Sequence, residues 1–495
     1  MNLLHSIESI GKRVQASSHR NLLIWGAYML IFVFVYGAML VRTGLHWDET
    51  LDFYGGGMET YVANGRWGVL LWRHLFGTGI AVWTAGVIAG LLLTLSLVLQ
   101  TRLFKIENVG LQLLYGALSL SVVQFAFQMD YFFLCDASAF ALLAATLATL
   151  ILENGGRKQM WIAAGLMVLS VAVYQCIVLN FFVLVMLLIL KDLLHGEPLR
   201  LKRRVLGMVG ICIAAVLGWI AIRIPVQMCI PVHPDTQSFC DAYLTKFTHT
   251  QQLFSSEWYI YLSDKLYTML GLALVPFSYV GEGVYFSIMA PVVLMLSYIV
   301  LKVKGGGRKV LGVSLIAGLW LAPFSLYLVT GNLEIFHPHT KLAQPVVFAA
   351  FWLIAVSLVR WRPLYRYIGI AGVCICVVQA SSAVSLHAAE LQAKFEERMS
   401  RLLAAEQAGV LCALESDIDL EKGCILYYVL WNDWETSGYA DFCGDYPALK
   451  YMKGATGHQL YLEQHKKHLD EMPLWPHKDS VRAVGDVVII KGGPM

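Results

Sequence analysis

Eleven runs of mostly apolar residues, most of them long enough to cross a lipid bilayer, leave this chain few folds to choose from. They lie near 22–41, 78–100, 109–128, 134–152, 160–175, 177–194, 205–222, 283–303, 310–330, 342–360 and 367–385. A spanning helix needs about 20 such residues, and fewer when it is packed inside a bundle. A shorter piece near 266–280, broken by Pro276, reads as a half-helix or hairpin dipping into the membrane. Composition agrees: 58% of residues are hydrophobic, 14% are charged, and the mean hydropathy is +0.61. A soluble protein of this size could not cover its surface with so little charge. The expected fold class is an α-helical polytopic membrane protein with about eleven transmembrane helices.

Loop charges set the expected orientation. Lys12, Arg13 and Arg20 precede the first run. Arg102 and Lys105, Arg157 and Lys158, Lys191 to Arg204, Lys302 to Lys309, and Arg360 to Arg366 fall on the same side if the spans alternate. Basic loops stay cytoplasmic, so the amino terminus reads as cytoplasmic and the carboxyl end as extracytoplasmic. The first run lacks a small-residue cleavage site and reads as an uncleaved anchor. The net charge of +3 is dispersed in short clusters, and nucleic acid is not an expected partner.

Two parts are expected: a membrane domain over 1–385 and a small extracytoplasmic α/β domain over 386–495. In the second, Leu391 to Gln407 reads as a helix, Cys424 to Trp431 as a buried strand and Val484 to Lys491 as a closing one. Cys135, Cys176, Cys212, Cys374 and Cys376 lie in or beside apolar runs, where cysteine acts as a small core residue. In an oxidising compartment Cys229 and Cys240 are placed to pair, as are two of Cys412, Cys424 and Cys443. There is no CxxC pair or zinc spacing.

Chemistry concentrates after the first run, in His46-Trp47-Asp48-Glu49-Thr50-Leu51-Asp52. Acids at a membrane boundary are costly and are either solvated loop charges or parts of a site. If the segment is helical, Asp48 and Asp52 share one face. Met58 to Phe76 then interleaves aromatic and apolar residues with Glu59, Asn64, Arg66, Arg73 and His74, a composition suited to the membrane interface. The plain alternative is an interfacial helix with solvated charges. For Arg73 and His74 in particular, snorkelling is the favoured reading.

These residues also carry a likeness. His46-Trp47-Asp48-Glu49, the Asn64-Gly65-Arg66-Trp67 turn, Phe127-Gln128-Met129-Asp130-Tyr131 and Tyr174-Gln175 occur in an order that resembles the phage-type serotype-converting O-antigen glucosyltransferases. The resemblance covers most of the membrane domain. That family belongs to the GT-C class of polytopic transferases, which draw a sugar from a polyprenyl phosphate and use an acidic residue of the first outer loop. It implies transfer of a hexose, glucose by the resemblance, to a surface glycan such as the O-antigen of lipopolysaccharide. The reaction would occur on the extracytoplasmic face of a bacterial inner membrane. A donor-synthesising transferase and a flippase of the same pathway are implied partners, together with the lipid-linked donor, the glycan acceptor and the bilayer.

The residue types suit that chemistry. A neutral acceptor hydroxyl needs a base, and a carboxylate whose pKa is lifted by partial burial can supply one. Asp48 is the expected base, Glu49 its helper, and Asp52 a substrate contact. The departing phosphate calls for a cation, and Arg66 is the first candidate because its planar fork can hold two oxygens. Asp130 and Asp136 bracket the next outer turn and are candidates for sugar hydroxyls or a divalent cation, with helix capping the competing account for Asp130. Tyr174, Gln175, Glu282 and Lys341 complete the expected substrate-binding set. Arg223, at the outer end of its run, reads equally as a phosphate contact or a snorkelling side chain. No cofactor is otherwise expected. The rival reading is a flippase or transporter of lipid-linked sugars, which would place charges near the midplane of several helices.

Overall fold

The computed structural model describes residues 19–41, 61–76, 82–122, 124–129, 132–230, 232, 258–274, 282–325, 342–358, 363–415, 425–430, 439–441, 471–473, 477–484 and 487–491. They form two units: one is made of helices and holds the described residues through Ala388 apart from Val232, and the other holds those from Ala389 onward and contains a sheet.

The helical unit holds α1 (Arg20–Val41), α2 (Trp67–Phe76), α3 (Val82–Leu103), α4 (Val109–Ser121), α5 (Gln124–Met129), α6 (Phe132–Asn154) and α7 (Met160–Val173). It continues with α8 (Val178–His195), α9 (Leu201–Cys229), α10 (Trp258–Leu274), α11 (Glu282–Leu301), α12 (Gly306–Leu321), α13 (Gln344–Leu358) and the part of α14 (Pro363–Glu415) through Ala388. Seven stretches of these helices are long and apolar enough to cross a membrane: Arg20–Val41, Trp83–Leu103, Leu134–Asn154, Gln175–His195, Leu201–Cys229, Gly306–Phe324 and Gly369–Ala393. Shorter apolar helices accompany them at Val109–Ser121, Met160–Val173, Val292–Leu301 and Gln344–Leu358, and the run expected over 109–128 is divided between α4 and α5. This is a helical polytopic membrane protein.

Local signals set several helix ends. The Asn108 side chain accepts from the Leu111 N–H at 3.1 Å and so caps α4. Gly196, with φ +73°, ends α8 in a left-handed turn that few other residues adopt. The piece read near 266–280 is displaced. Its described part is the helix α10, from Trp258 to Leu274, and Pro276 lies outside the described residues.

The core is built around α6, between α3 and α7. Its inward face is a ladder of small residues, with Ala137, Ala139, Ala141, Ala144, Ala145 and Ala148 all buried. Without a hydrophobic drive between helices in lipid, close approach over small residues supplies the packing energy. On the other side, α1 presses aromatic rings onto glycines. A Cβ at Gly116 would overlap the Tyr28 ring, and one at Gly90 the Phe32 ring.

Polar groups inside the bundle bond to one another, as the absence of water requires. Ser96 Oγ and Thr146 Oγ1 lie 2.8 Å apart, Gln100 Nε2 reaches both, and Tyr115 donates to Gln100 Oε1 at 2.6 Å. Near the end that carries the basic loops, Arg204 is buried among acids of two other helices. Its Nε and one Nη each lie 2.9 Å from Glu153 of α6, and its other Nη lies 2.7 Å from Asp192 of α8. A residue expected only as one of a run of topogenic charges is therefore the bond between α6, α8 and α9.

The second unit contains a four-stranded sheet in the order β2 (Tyr439–Asp441), β1 (Ile425–Leu430), β4 (Val487–Lys491) and β3 (Val481–Val484). β1 and β4 run parallel with Ile425 beside Val487, while β2 and β3 pair antiparallel at the two edges. The stretch expected as one closing strand is thus the end of a hairpin, with Val484 paired to Val487. The Gly-Asp dipeptide between them is of the kind that two-residue hairpin links favour. The helix expected from Leu391 does not start there, since α14 runs unbroken from Pro363 to Glu415. Cys229 carries an exposed free thiol rather than the expected disulfide, and Cys240 lies outside the described residues.

Candidate functional site

The Asn64-Gly65-Arg66-Trp67 stretch forms a tight turn that leads into α2. Gly65 N–H donates to Val62 O at 3.0 Å and Arg66 N–H to Tyr61 O at 2.7 Å. Gly65 has φ +70°, a conformation that suits glycine.

The turn is then held from outside, one carbonyl at a time. Asn64 O accepts from Gln175 Nε2 at 3.0 Å and Gly65 O from Trp219 Nε1 at 2.8 Å. Ala63 O accepts from an Arg223 Nη at 3.0 Å, and Val62 O from Gln227 Nε2 at 3.4 Å. Trp219, Arg223 and Gln227 stand four residues apart on α9 and therefore share a face. That spacing was legible in the sequence, and it is the signal by which Trp219 and Gln227 could have been singled out.

Gly65→Ala tests the turn. A Cβ there would lie 2.6 Å from the Trp219 ring, on a backbone that disfavours it. The expected cost is about 1–2 kcal/mol for the left-handed conformation and about 1–3 kcal/mol for the overlap. Thermal unfolding of detergent-solubilised protein should show a clearly lowered midpoint, and an unchanged midpoint would contradict this geometry.

The clamped turn presents Arg66. Its guanidinium carbon lies 5.1 Å from the centroid of the Tyr174 ring, a cation–π stack. Tyr174 is buried and extended (φ −154°, ψ 110°) where α7 ends, and Gln175 opens the one-turn 3₁₀ helix that leads into α8. The structure therefore brings together three of the expected site residues: Arg66, Tyr174 and Gln175. Arg223 joins them, with its guanidinium 5.6 Å from the Trp219 ring. Arg66 Nε and Arg223 Nε are both enclosed without a hydrogen-bond partner among the described residues.

At the other end of α2, the favoured reading of Arg73 fails. Its side chain is 2% exposed, and it does not snorkel. It reaches across to α6, with Nη atoms 2.5 and 3.1 Å from the Asp136 oxygens. Trp72 Nε1 adds a bond of 2.9 Å to the same carboxylate, and the Ala137 N–H lies 2.8 Å from it. Trp72 also stacks on Phe140, with ring centroids 4.8 Å apart. Four donors meet a carboxylate that offers about four lone-pair sites, so Asp136 has its acceptor capacity occupied within the protein. His74, by contrast, is exposed as expected.

The other expected site residues are placed as follows. Asp48, Glu49, Asp52, Asp130 and Lys341 lie outside the described residues. Glu282 is the first residue of α11, so it sits at a regular helix start rather than in an irregular segment. Such a start by itself favours an acid through the helix dipole. Among the described residues, no three His, Cys, Asp or Glu side chains are grouped as metal ligands.

No curated protein matches the chain. A family model does, the glucosyl transferase GtrII model, over residues 37–357. That match runs from the last turns of α1 nearly to the end of α13. It takes in the acidic stretch, the clamped turn and the Arg73–Asp136 pair, but not the sheet.

Proposed function

The chain belongs to the glucosyl transferase GtrII family, and from that premise we propose that it moves glucose from a polyprenyl phosphate to a surface glycan such as O-antigen. The reaction is placed on the extracytoplasmic face of a bacterial inner membrane, with the carboxyl-terminal domain over 386–495 on that same side. Asp48 takes the proton of the attacking acceptor hydroxyl and Glu49 orients that acceptor. Asp52, Asp130, Glu282 and Lys341 are proposed contacts of the sugars. In-line attack from the face opposite the phosphate would invert the anomeric centre.

One observation carries this reading beyond the family. Directly after the acidic stretch, the chain is fixed by four side chains from two other segments. They leave Arg66, a cation without an acid partner among the described residues, standing on Tyr174. A departing phosphate is stabilised by preorganised positive charge of this kind.

The rival flippase reading calls for charges near the middle of several helices. Along α6, the buried acids Asp136 and Glu153 are seventeen residues apart, or about 25 Å at 1.5 Å per residue. Each is paired with an arginine near one end of the helix. Between those levels the buried polar groups named above are neutral: Ser96, Gln100 and Thr146. This favours catalysis at one face over passage through the bundle.

The test uses the purified protein in proteoliposomes, with radiolabelled polyprenyl-phosphate glucose and the glycan of the host surface. The expected result is glucose on the glycan. Movement of the lipid-linked sugar across the bilayer, with no transfer to glycan, would replace the transferase by the flippase.

A further inference from the structure

The two fully buried arginines among the described residues have answered their charge: Arg73 is paired with Asp136, and Arg204 with Glu153 and Asp192. The half-buried Arg66 and Arg223 differ. Neither is within ion-pair distance of an acid among the described residues, and each keeps one enclosed Nε without a partner. Their surroundings nevertheless hold them in place. Arg66 rests on the Tyr174 ring, while Arg223 lies by the Trp219 ring and spends one Nη on Ala63 O. Both side chains are only partly exposed. A snorkelling arginine extends freely to water. These two are instead drawn back onto aromatic faces around a single clamped turn.

Two like charges kept at one turn disfavour each other unless an anion visits them. Arginine forks match the oxygens of a phosphate two at a time. We propose that Arg66 and Arg223 together form a two-armed seat for a phosphate ester, and that its occupant is the phosphate of the lipid-linked donor. The choice of occupant rests on the transferase reading, but the seat itself does not. The carbonyl clamp then has a purpose beyond folding: it ties the Arg66 loop to the helix that carries Arg223, so the two arms keep their spacing. Tyr174 and Trp219 are positioning residues in this arrangement.

The experiment measures binding to the full chain in detergent by native mass spectrometry, with undecaprenyl phosphate, the uncharged undecaprenol, phosphatidylglycerol and inorganic phosphate as probes. Wild type, Arg66→Gln, Arg223→Gln and the two Lys variants are compared at equal thermal midpoint. Wild type should prefer undecaprenyl phosphate to undecaprenol. Each Gln variant should lose that preference roughly tenfold while keeping its affinity for undecaprenol, and each Lys variant should lose less. Retained undecaprenol binding shows that the fold is intact. Phosphate preference unchanged in both Gln variants would overturn the seat. So would equal loss of both lipids, since the effect would then not be on phosphate. Phosphatidylglycerol competing as well as undecaprenyl phosphate would overturn the donor as occupant, as would inorganic phosphate binding with equal strength. The glucose-transfer assay separates the two proposals. Transfer by wild type with unaltered Gln variants removes the seat and leaves the transferase. Phosphate-selective binding without any transfer removes the transferase and leaves the seat.

Discussion

Asp48→Asn is expected to lower kcat for glucose transfer by about 10²–10⁴-fold, the usual contribution of a positioned general base, while the KM for the lipid-linked donor changes little. The amide keeps the size and one oxygen of the carboxylate but cannot accept the acceptor's proton. Donor affinity should survive if the phosphate is held, as proposed, by Arg66 and Arg223, on the far side of the glycine triplet 55–57 from Asp48. Glu49→Gln should cost less and should act on the KM of the glycan, since an orienting contact is made already in the ground state. The measurement is a steady-state transfer assay with each substrate varied in turn. If Asp48→Asn keeps more than a tenth of wild-type kcat, the base is another group, and Glu49 becomes the first to examine.

How much of this was legible in the sequence depends on the range of the interaction involved. The seven long apolar helices were legible because crossing a bilayer imposes a length and a composition that a local window can detect. The helix ends at Asn108 and Gly196 obey equally local chemistry. What escaped is what depends on a distant partner. Arg73 looks like an interfacial cation when read with its neighbours, and nothing near it in the chain announces Asp136, sixty-three positions on. Arg204 sits in a basic run that reads locally as a topological signal, but its two acids belong to other helices. The continuity of α14 escaped for the opposite reason. Its apolar and polar halves look like separate segments by composition, while the backbone has no proline or glycine to divide them between Val373 and Ala408. At the candidate site, Arg66, Tyr174 and Gln175 were recognisable as residue types in order. That they meet, and that α9 clamps their turn, only the packing reveals.

The Arg73–Asp136 pair yields the largest expected effect on stability. Breaking a buried pair by removing one partner leaves an uncompensated charge, at a typical cost of about 3–5 kcal/mol. Arg73→Met and Asp136→Leu should each destabilise the folded protein by that order, and Trp72→Phe by about 1–3 kcal/mol through the one bond it gives up. The pair's contribution to stability need not be what maintains it. Arg73→Met combined with Asp136→Leu removes both charges and leaves apolar side chains of similar reach, so most of the lost stability should return. Activity need not return with it. The pair pins the far end of α2 to α6, while the carbonyl clamp pins the near end to α9, and Arg66 lies at that near end. If the pinning serves the site, the double variant will melt close to wild type yet transfer glucose slowly, with a lowered kcat. Unfolding in detergent and the transfer assay, run on the same four proteins, decide this as a double-mutant cycle. Single variants as stable as wild type would mean that water reaches the pair. A double variant restored in both stability and kcat would make Arg73 and Asp136 a packing device and nothing more.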